Sequence, residues 1–188
     1  MERKEVLVSP AELDRQREFE NKIRGMFEGR QAHPMACVDT FGCQQNVADG
    51  QKLMGMLADC GFTFTDKPAE ADLVILNTCA VREHAEDRVF GNLGALTHAK
   101  KENPEMVIAL CGCMAQEQRV SERIKKSYPL VNLVFGPHAL WKFPELLWQV
   151  YESRKRVFSV DDEHGTIAEG IPVVREKGVK AWVSIMYG

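Results

Sequence analysis

The feature that most restricts the fold is an alternation beginning at residue 35, in which short apolar runs are separated by amphipathic stretches. Two of the runs, 72–76 and 106–110, are almost unbroken series of Val, Ile, Leu, Met and Ala. Such runs are typical of parallel strands buried on both faces, and the stretches between them are typical of crossover helices. The sequence therefore predicts an α/β fold with an open, mostly parallel sheet and helices on both faces.

The chain divides by its patterning into four segments. Residues 1–34 form a leading helical extension, whose helix over 9–29 opens with the capping-box residues Ser9-Pro10-Ala11-Glu12. The α/β domain follows at 35–153. Residues 154–178 supply an edge strand at 157–160 and a linker with scattered Gly and Pro. Residues 179–188 begin a new apolar run, which we expect to be the first strand of a truncated second domain.

Within the α/β domain we expect strands at 35–41, 62–64, 72–76, 106–110 and 131–135. The amphipathic stretches predict four helices. One carries Leu53, Met56, Leu57 and Cys60 on one face; the next has Val81, Ala85, Val89, Leu93 and Leu96 in phase; the last two span about 115–127 and 139–152.

Composition excludes two classes of protein. A formal net charge of -3 and a pI near 6.0 give no general attraction to nucleic acid, so any grip on RNA must lie elsewhere. No stretch approaches the roughly 20 apolar residues that cross a bilayer, and no apolar segment follows the N-terminus as in a signal peptide. We expect a cytoplasmic protein without membrane contact, in which the six cysteines serve packing, metal binding or redox chemistry.

Three cysteines occupy equivalent positions. Cys43, Cys79 and Cys113 each follow a predicted strand, and the carboxyl ends of parallel strands meet along one edge of a sheet. Three thiolates there could hold a 4Fe-4S cluster and leave one iron open. They could also bind zinc with a histidine as the fourth ligand, the candidates being His84, His98 and His138. From spacing alone, three unrelated inert thiols explain the pattern equally well.

The other three cysteines fit core packing better. Cys37 lies within a predicted strand and Cys60 on the apolar face of a helix, where free cysteine acts as a small hydrophobe. Cys111 is separated from Cys113 by one residue, so either could reach a site at the strand end. We favour Cys113.

Three sequence motifs carry a resemblance to a known family. Gly42-Cys43-Gln44-Gln45-Asn46, the stretch from Asn77 to Glu83 (NTCAVRE), and Gly112-Cys113-Met114-Ala115-Gln116 closely resemble the motifs of the methylthiotransferases. The second motif is most similar to that of the MiaB branch, which modifies tRNA. The likeness runs from about Met35 to Gly188.

The resemblance implies a radical-SAM enzyme that adds a methylthio group to isopentenyl-adenosine beside the tRNA anticodon. In this family the N-terminal domain holds a 4Fe-4S cluster on three cysteines, a role that carries over to Cys43, Cys79 and Cys113. The open iron would present the sulfur. The full protein would carry a second 4Fe-4S cluster, bind S-adenosylmethionine, and require tRNA, a sulfur donor and an electron donor.

The chain has no Cys-x-x-x-Cys-x-x-Cys motif for that second cluster. In relatives the motif begins just after the segment similar to 184–188, so 179–188 is expected to be the first strand of a truncated radical-SAM barrel. We expect this chain alone to be inactive. Two alternatives stay open: a non-catalytic zinc-binding or interaction module, and a methylthiotransferase that acts on another substrate.

Overall fold

An open six-stranded parallel sheet organises the part of the chain that the structure describes. The structure is a computed structural model, and it describes residues 6–81, 85–160 and 166–175. The sheet order is β3-β2-β4-β5-β6-β7, and β1 and β8 pair separately in a two-stranded parallel ribbon. The strands are β1 (Val6–Leu7), β2 (Met35–Phe41), β3 (Thr63–Phe64), β4 (Leu73–Thr78), β5 (Val107–Gly112), β6 (Leu133–Phe135), β7 (Val157–Ser159) and β8 (Thr166–Ile167).

Five α-helices accompany these strands within the described residues: α1 (Pro10–Phe27), α2 (Gln44–Asp59), α3 (Ala85–Glu102), α4 (Gln118–Ser127) and α5 (Phe143–Ser153). Short 3-10 helices span Pro68–Glu70 and Pro137–Lys142. None of the helices described combines the length and the apolar character that a membrane span requires.

The sheet separates two hydrophobic cores. All residues of β4 and β5 are buried, and successive side chains alternate between the faces: Leu73 and Ile75 join one core, Val74 and Leu76 the other. The first core also receives residues of α1, α2 and α5, and the second receives residues of α3 and α4. The predicted α/β architecture, with helices on both faces of an open sheet, is confirmed.

One crossover has the opposite hand to the others. The connections β2-α2-β3 and β4-α3-β5 run in opposite directions along the sheet and lie on opposite faces, so they share a hand. The connection β6-α5-β7 runs in the same direction as β4-α3-β5, yet α5 lies on the other face. Left-handed crossovers are rare in parallel sheets. Here the arrangement allows α5 to pack against α1 and α2.

The leading helix α1 begins as the sequence predicted. The Ser9 hydroxyl accepts a hydrogen bond from the Glu12 backbone N–H at 3.3 Å, and the Glu12 carboxylate accepts one from the Ser9 backbone N–H at 2.9 Å. These bonds satisfy donors that a helix start leaves unpaired. Further along α1, Ile23 is completely buried in the first core, so the helix is packed onto the sheet domain.

Three predicted helix starts differ from the structure. The helix expected to include Val81 begins at Ala85, and Val81 is 83% exposed; the helix expected from about residue 115 begins at Gln118. In the first place the strand runs on to Thr78 and Cys79 follows it. In the second the strand runs on to Gly112, and a turn that contains Cys113 comes before the helix. The helix expected from residue 139 is preceded by the 3-10 turn Pro137–Lys142.

The segment 168–175, predicted as part of a linker, lies against α2. A side chain at Gly55 would collide with the Pro172 carbonyl oxygen, and the Val174 backbone N–H donates to the Gln51 carbonyl oxygen at 3.0 Å. Glycine at 55 therefore allows the two backbones to approach closely. The expected strand within 179–188 lies outside the described residues.

Buried Glu20 on α1 makes stability depend on pH. Its burial, and then the negative charge of Asp59, raise the pKa of Glu20 from 4.5 to about 7. Burial therefore favours the protonated carboxyl in the folded state. The contribution of this protonated carboxyl to stability is fully present below pH 4.5 and is lost as the pH rises through about 7.

We expect Glu20→Gln to remove this dependence. The amide stays neutral, so the variant should exceed the parent in unfolding free energy by roughly 2 kcal/mol near pH 8, with little difference near pH 4.5. Urea denaturation at the two pH values measures this. Glu18→Gln, at an exposed position on the same helix, is the control. An unchanged pH profile in the Glu20 variant would contradict the prediction.

Candidate functional site

The order of the strands creates a crevice at the carboxyl ends of β2 and β4. From β2 the chain crosses to β3 along one face of the sheet, and from β4 it crosses to β5 along the other. The loops after β2 and β4 therefore diverge, and ligands of open α/β sheets bind at such a switch point. Cys43 and Cys79 lie in these two loops, and Cys113 follows β5, the next strand.

Cys43 is the residue that immediately precedes α2, and it is half-buried. The first backbone N–H groups of a helix are unpaired and carry a partial positive charge, which favours an anionic side chain there. Its sulfur lies 3.2 Å from Asn46 Oδ1, and its backbone N–H donates to the same oxygen at 3.3 Å. The Cys43 thiol is thus held at the end of a 16-residue helix that is packed on the sheet.

Cys79 and Cys113 meet each other at the ends of β4 and β5. The two thiols interact through a side-chain hydrogen bond. The Ala80 backbone N–H donates to Cys113 Sγ at 3.0 Å, and Cys113 Sγ lies 3.7 Å from the Thr78 carbonyl oxygen. Cys79 is buried, whereas Cys113 is half-buried and so closer to solvent.

The electrostatics of Cys113 tie the three thiols together. Burial raises the pKa of Cys113, and negative charge on Cys79 or on Cys43 raises it further, whereas the Ala80 N–H opposes these effects. Three thiolates at this edge would therefore repel one another. A positively charged iron or metal centre would offset that repulsion, since metal binding draws protons off thiols.

The three thiols match the ligands of an iron-sulfur cluster in kind. Among the residues described, no group of three His, Cys, Asp or Glu side chains is arranged to hold one metal ion. A single zinc needs its sulfurs about 2.3 Å from one point. A 4Fe-4S cluster is wider, because each thiolate binds a different iron. Three thiols from neighbouring loops are donors of the kind that such a cluster takes.

A buried amide network holds two of the cysteine loops together. Asn46 and Asn77 are 3% and 1% exposed. Asn46 Nδ2 donates to Asn77 Oδ1 and to the Thr78 carbonyl oxygen, both at 3.0 Å, and Asn77 Nδ2 donates to the Asn46 carbonyl oxygen at 2.7 Å. No role was predicted for these residues from the sequence. The available signal was a polar residue, Asn77, near the end of a strand that is mostly apolar.

The second and third cysteine loops are joined by close backbone contact. The Thr78 hydroxyl donates to the Cys111 carbonyl oxygen at 2.7 Å. Gly112 has φ +95°, and a Cβ there would collide with the Thr78 carbonyl oxygen and come within 2.9 Å of Asn77 Oδ1. Glycine at 112 is therefore required both by its backbone conformation and by the space available.

The remaining cysteines are packed in the cores. Cys37 lies in the second core, where burial and the charge of Asp39 raise its pKa to about 12. Cys60 and Cys111 are buried in the first core, and burial raises the pKa of each thiol. Cys111 points into this core beside α2, whereas Cys113 lies where the strands end.

Among the described residues, no histidine completes a group of three side chains that could hold a metal ion. The side chain of His98 is 82% exposed near the end of α3, at the opposite edge of the sheet from Cys79, and lies 3.8 Å from Glu102. His138 follows β6 in the 3-10 turn and is half-buried. It lies at the carboxyl ends of the strands, where Cys43, Cys79 and Cys113 also lie and which we call the cysteine edge. His84 lies outside the described residues.

An ion-pair group joins the helices that follow the second and third cysteine loops. Glu86 at the start of α3 accepts hydrogen bonds from Arg119 on α4 at 2.5 and 3.0 Å, and from Arg123 at 3.1 Å. The Arg119 guanidinium lowers the pKa of Glu86 below its ordinary value. Exposed pairs contribute little free energy. These bonds connect the start of α3 to α4.

Comparison with known proteins identifies the family. The model of the uncharacterized protein family UPF0004 matches residues 35–136, more than half of the chain and the part that contains all three cysteine loops. The chain belongs to this family. The family match covers the sheet from β2 to β6.

Relatives of this UPF0004 member bear the name tRNA-2-methylthio-N(6)-dimethylallyladenosine synthase. One from Acetivibrio thermocellus is 48% identical over 191 residues, covering 100% of this chain and 40% of the relative. Those from Staphylococcus haemolyticus and Clostridium perfringens are 45% and 46% identical, covering 90% and 81% of this chain but 32% and 34% of themselves. The resemblance to tRNA methylthiotransferases is confirmed. The chain spans two-fifths or less of these relatives' length.

We predict that Gly112→Ala disrupts the third cysteine loop. The added Cβ collides with the Thr78 carbonyl oxygen and the positive φ becomes strained, so the free energy of unfolding should fall by about 3 kcal/mol. Gly91→Ala is the matched control, because a Cβ at Gly91 in α3 meets nothing within 4 Å. That substitution should be neutral or stabilising. Chemical denaturation compares the two, and equal effects would refute the proposed steric role.

Proposed function

We propose that this chain is the iron-sulfur part of a tRNA methylthiotransferase, and that Cys43, Cys79 and Cys113 hold one 4Fe-4S cluster. The observation that carries the proposal is the gathering of three thiols at the carboxyl edge of one sheet, in the loops after β2, β4 and β5. The printed names of the relatives support the class of reaction and of substrate.

Each part of the site has a distinct task in this proposal. When bound, the cluster supplies one iron that no cysteine of the set occupies, at which a sulfur atom can be presented to the substrate. Cys43 contributes a thiolate at the positive end of α2. The Ala80 N–H donates to the Cys113 sulfur and steadies its charge, while buried Cys79 keeps water from the inner side of the site.

The activity of the whole protein is the transfer of a methylthio group to isopentenyl-adenosine (dimethylallyladenosine) in tRNA, beside the anticodon. It requires S-adenosylmethionine and a second 4Fe-4S cluster, a sulfur donor and an electron donor, and we place the protein in the cytoplasm. The 188-residue chain has no Cys-x-x-x-Cys-x-x-Cys motif for the second cluster. We therefore expect it to bind one cluster without methylthiolating tRNA. Its net charge of -3 suggests that the main tRNA grip lies in another part of the full protein.

Anaerobic reconstitution with iron and sulfide tests the site. The parent chain should turn brown and take up about four iron and four sulfide per chain, as a 4Fe-4S cluster requires. Cys43→Ser, Cys79→Ser and Cys113→Ser should each reduce bound iron severely, because two thiolates hold a cubane poorly. Iron and acid-labile sulfide assays, with absorption spectra, provide the measurement.

The controls use the three core cysteines. The control variants are Cys37→Ala, Cys60→Ala and Cys111→Ala. Alanine is used because serine would place a hydroxyl in an apolar core. These Ala variants should reconstitute like the parent. A colourless protein that binds one zinc would favour the zinc module instead, and loss of the cluster in Cys111→Ala but not in Cys113→Ser would overturn the ligand assignment.

A further inference from the structure

We infer that Asn46 and Asn77 are positioning residues that fix the Cys43 loop against the Cys79 loop before the metal centre assembles. The inference rests on the proposed cluster site, and assigns a task to two side chains that bear no ligand atom. It concerns how the loops are held in the metal-free protein, so part of it can be tested without iron.

The side-chain hydrogen bonds of this pair link the start of α2, beside Cys43, to the end of β4, beside Cys79. Asn46 Oδ1 accepts from the Cys43 backbone N–H, and Asn46 Nδ2 donates to the carbonyl oxygen of Thr78, the residue before Cys79. Asn77, two residues before Cys79, donates back to the Asn46 carbonyl oxygen in the first turn of α2. The Asn46 side chain thus bridges the two loops directly, and the Asn77 side chain donates a further hydrogen bond in the opposite direction.

The direction of the Asn46 amide is set by its partners. Rotating the amide by half a turn would bring Oδ1 against Asn77 Oδ1 and the Thr78 carbonyl oxygen, which are both acceptors. It would also aim Nδ2 at the Cys43 backbone N–H, a donor. The oxygen of Asn46 therefore faces Cys43, and its contact with the sulfur at 3.2 Å follows from the network and not from the thiol.

Burial argues that the pair has a specific task. An unpaired amide in an apolar core is costly, and these two are nearly inaccessible to solvent. Apolar residues would fill such a space without the desolvation cost of an amide, but they could not hold two backbones at a defined separation by hydrogen bonds. Removing a residue that orients a metal ligand commonly lowers metal affinity by roughly 10- to 100-fold.

The test compares Asn46→Asp and Asn77→Asp with Asn132→Ala. Each Asp variant keeps the shape and exchanges an amide donor for an oxygen, so Asn46→Asp faces two acceptors and Asn77→Asp faces the Asn46 carbonyl oxygen. Asn132 is the matched control: its Oδ1 accepts from the Ile108 backbone N–H at 3.0 Å, at the opposite edge of the same sheet. Removing that bond should lower stability without touching the cysteine loops.

Two readouts separate positioning from general stability. In the reconstituted protein, iron should pass to a chelator roughly tenfold faster in the Asp variants than in the parent, with an altered electron paramagnetic resonance spectrum of the reduced cluster. In the metal-free protein, dibromobimane cross-linking of Cys43 to Cys113, followed by peptide mapping, should be lost or several-fold slower. These two thiols are half-buried, and Cys113 is tied to the Cys79 loop through the Ala80 N–H. The Asn132 variant should match the parent in both readouts, even where its unfolding midpoint is lower.

The outcomes distinguish this inference from the proposed function. If the parent takes up no cluster, the proposed function fails, and the cross-linking of metal-free protein still decides the role of the asparagines. If the parent binds a cluster and the Asp variants match it in iron release, spectrum and cross-linking, the positioning role is wrong. Equal losses in the Asp variants and in Asn132→Ala would assign the effect to stability alone, which also overturns the inference.

Discussion

The structure depends on the burial of β4 and β5 on both faces. A strand without a solvent-facing side needs helices above and below it, and those helices must leave and rejoin the sheet at its ends. Loops between strand and helix are then the places where polar and reactive side chains can collect. The apolar interior of the sheet and the concentration of thiols at its edge are two results of one constraint.

Much of this fold follows from pattern. The runs at 72–76 and 106–110 predict buried strands because successive residues within each run are apolar and leave no polar face. The start of α1 follows from a capping box, which involves only four consecutive residues. The face on which α5 packs does not follow from pattern, because its amphipathic stripe could cover either side of the sheet. Its contacts with α1 and α2 decide the matter, and those with α1 involve residues more than a hundred positions away.

The same division applies to the site. The position of Cys43, Cys79 and Cys113 after three strands could be predicted, because the ends of parallel strands share an edge. The preference for Cys113 over Cys111 rested partly on the family motif, and the structure adds a physical reason: alternation along β5 turns Cys111 into the core occupied by Ala109. The link between Asn46 and Asn77 was beyond sequence patterning, since it joins a helix start to a strand end across 31 positions.

The small ribbon of β1 and β8 has a consequence for the order of folding. It joins Val6–Leu7 to Thr166–Ile167, so its closure confines nearly the whole described chain in one loop. The entropy lost in closing so long a loop is returned only by two short strands, whereas the contacts within each βα unit are local. The ribbon should therefore form after the sheet is complete, and it should open first under denaturant. The pairing of β1 with β8 is then a late step of folding, and its local unfolding leaves the cysteine edge intact.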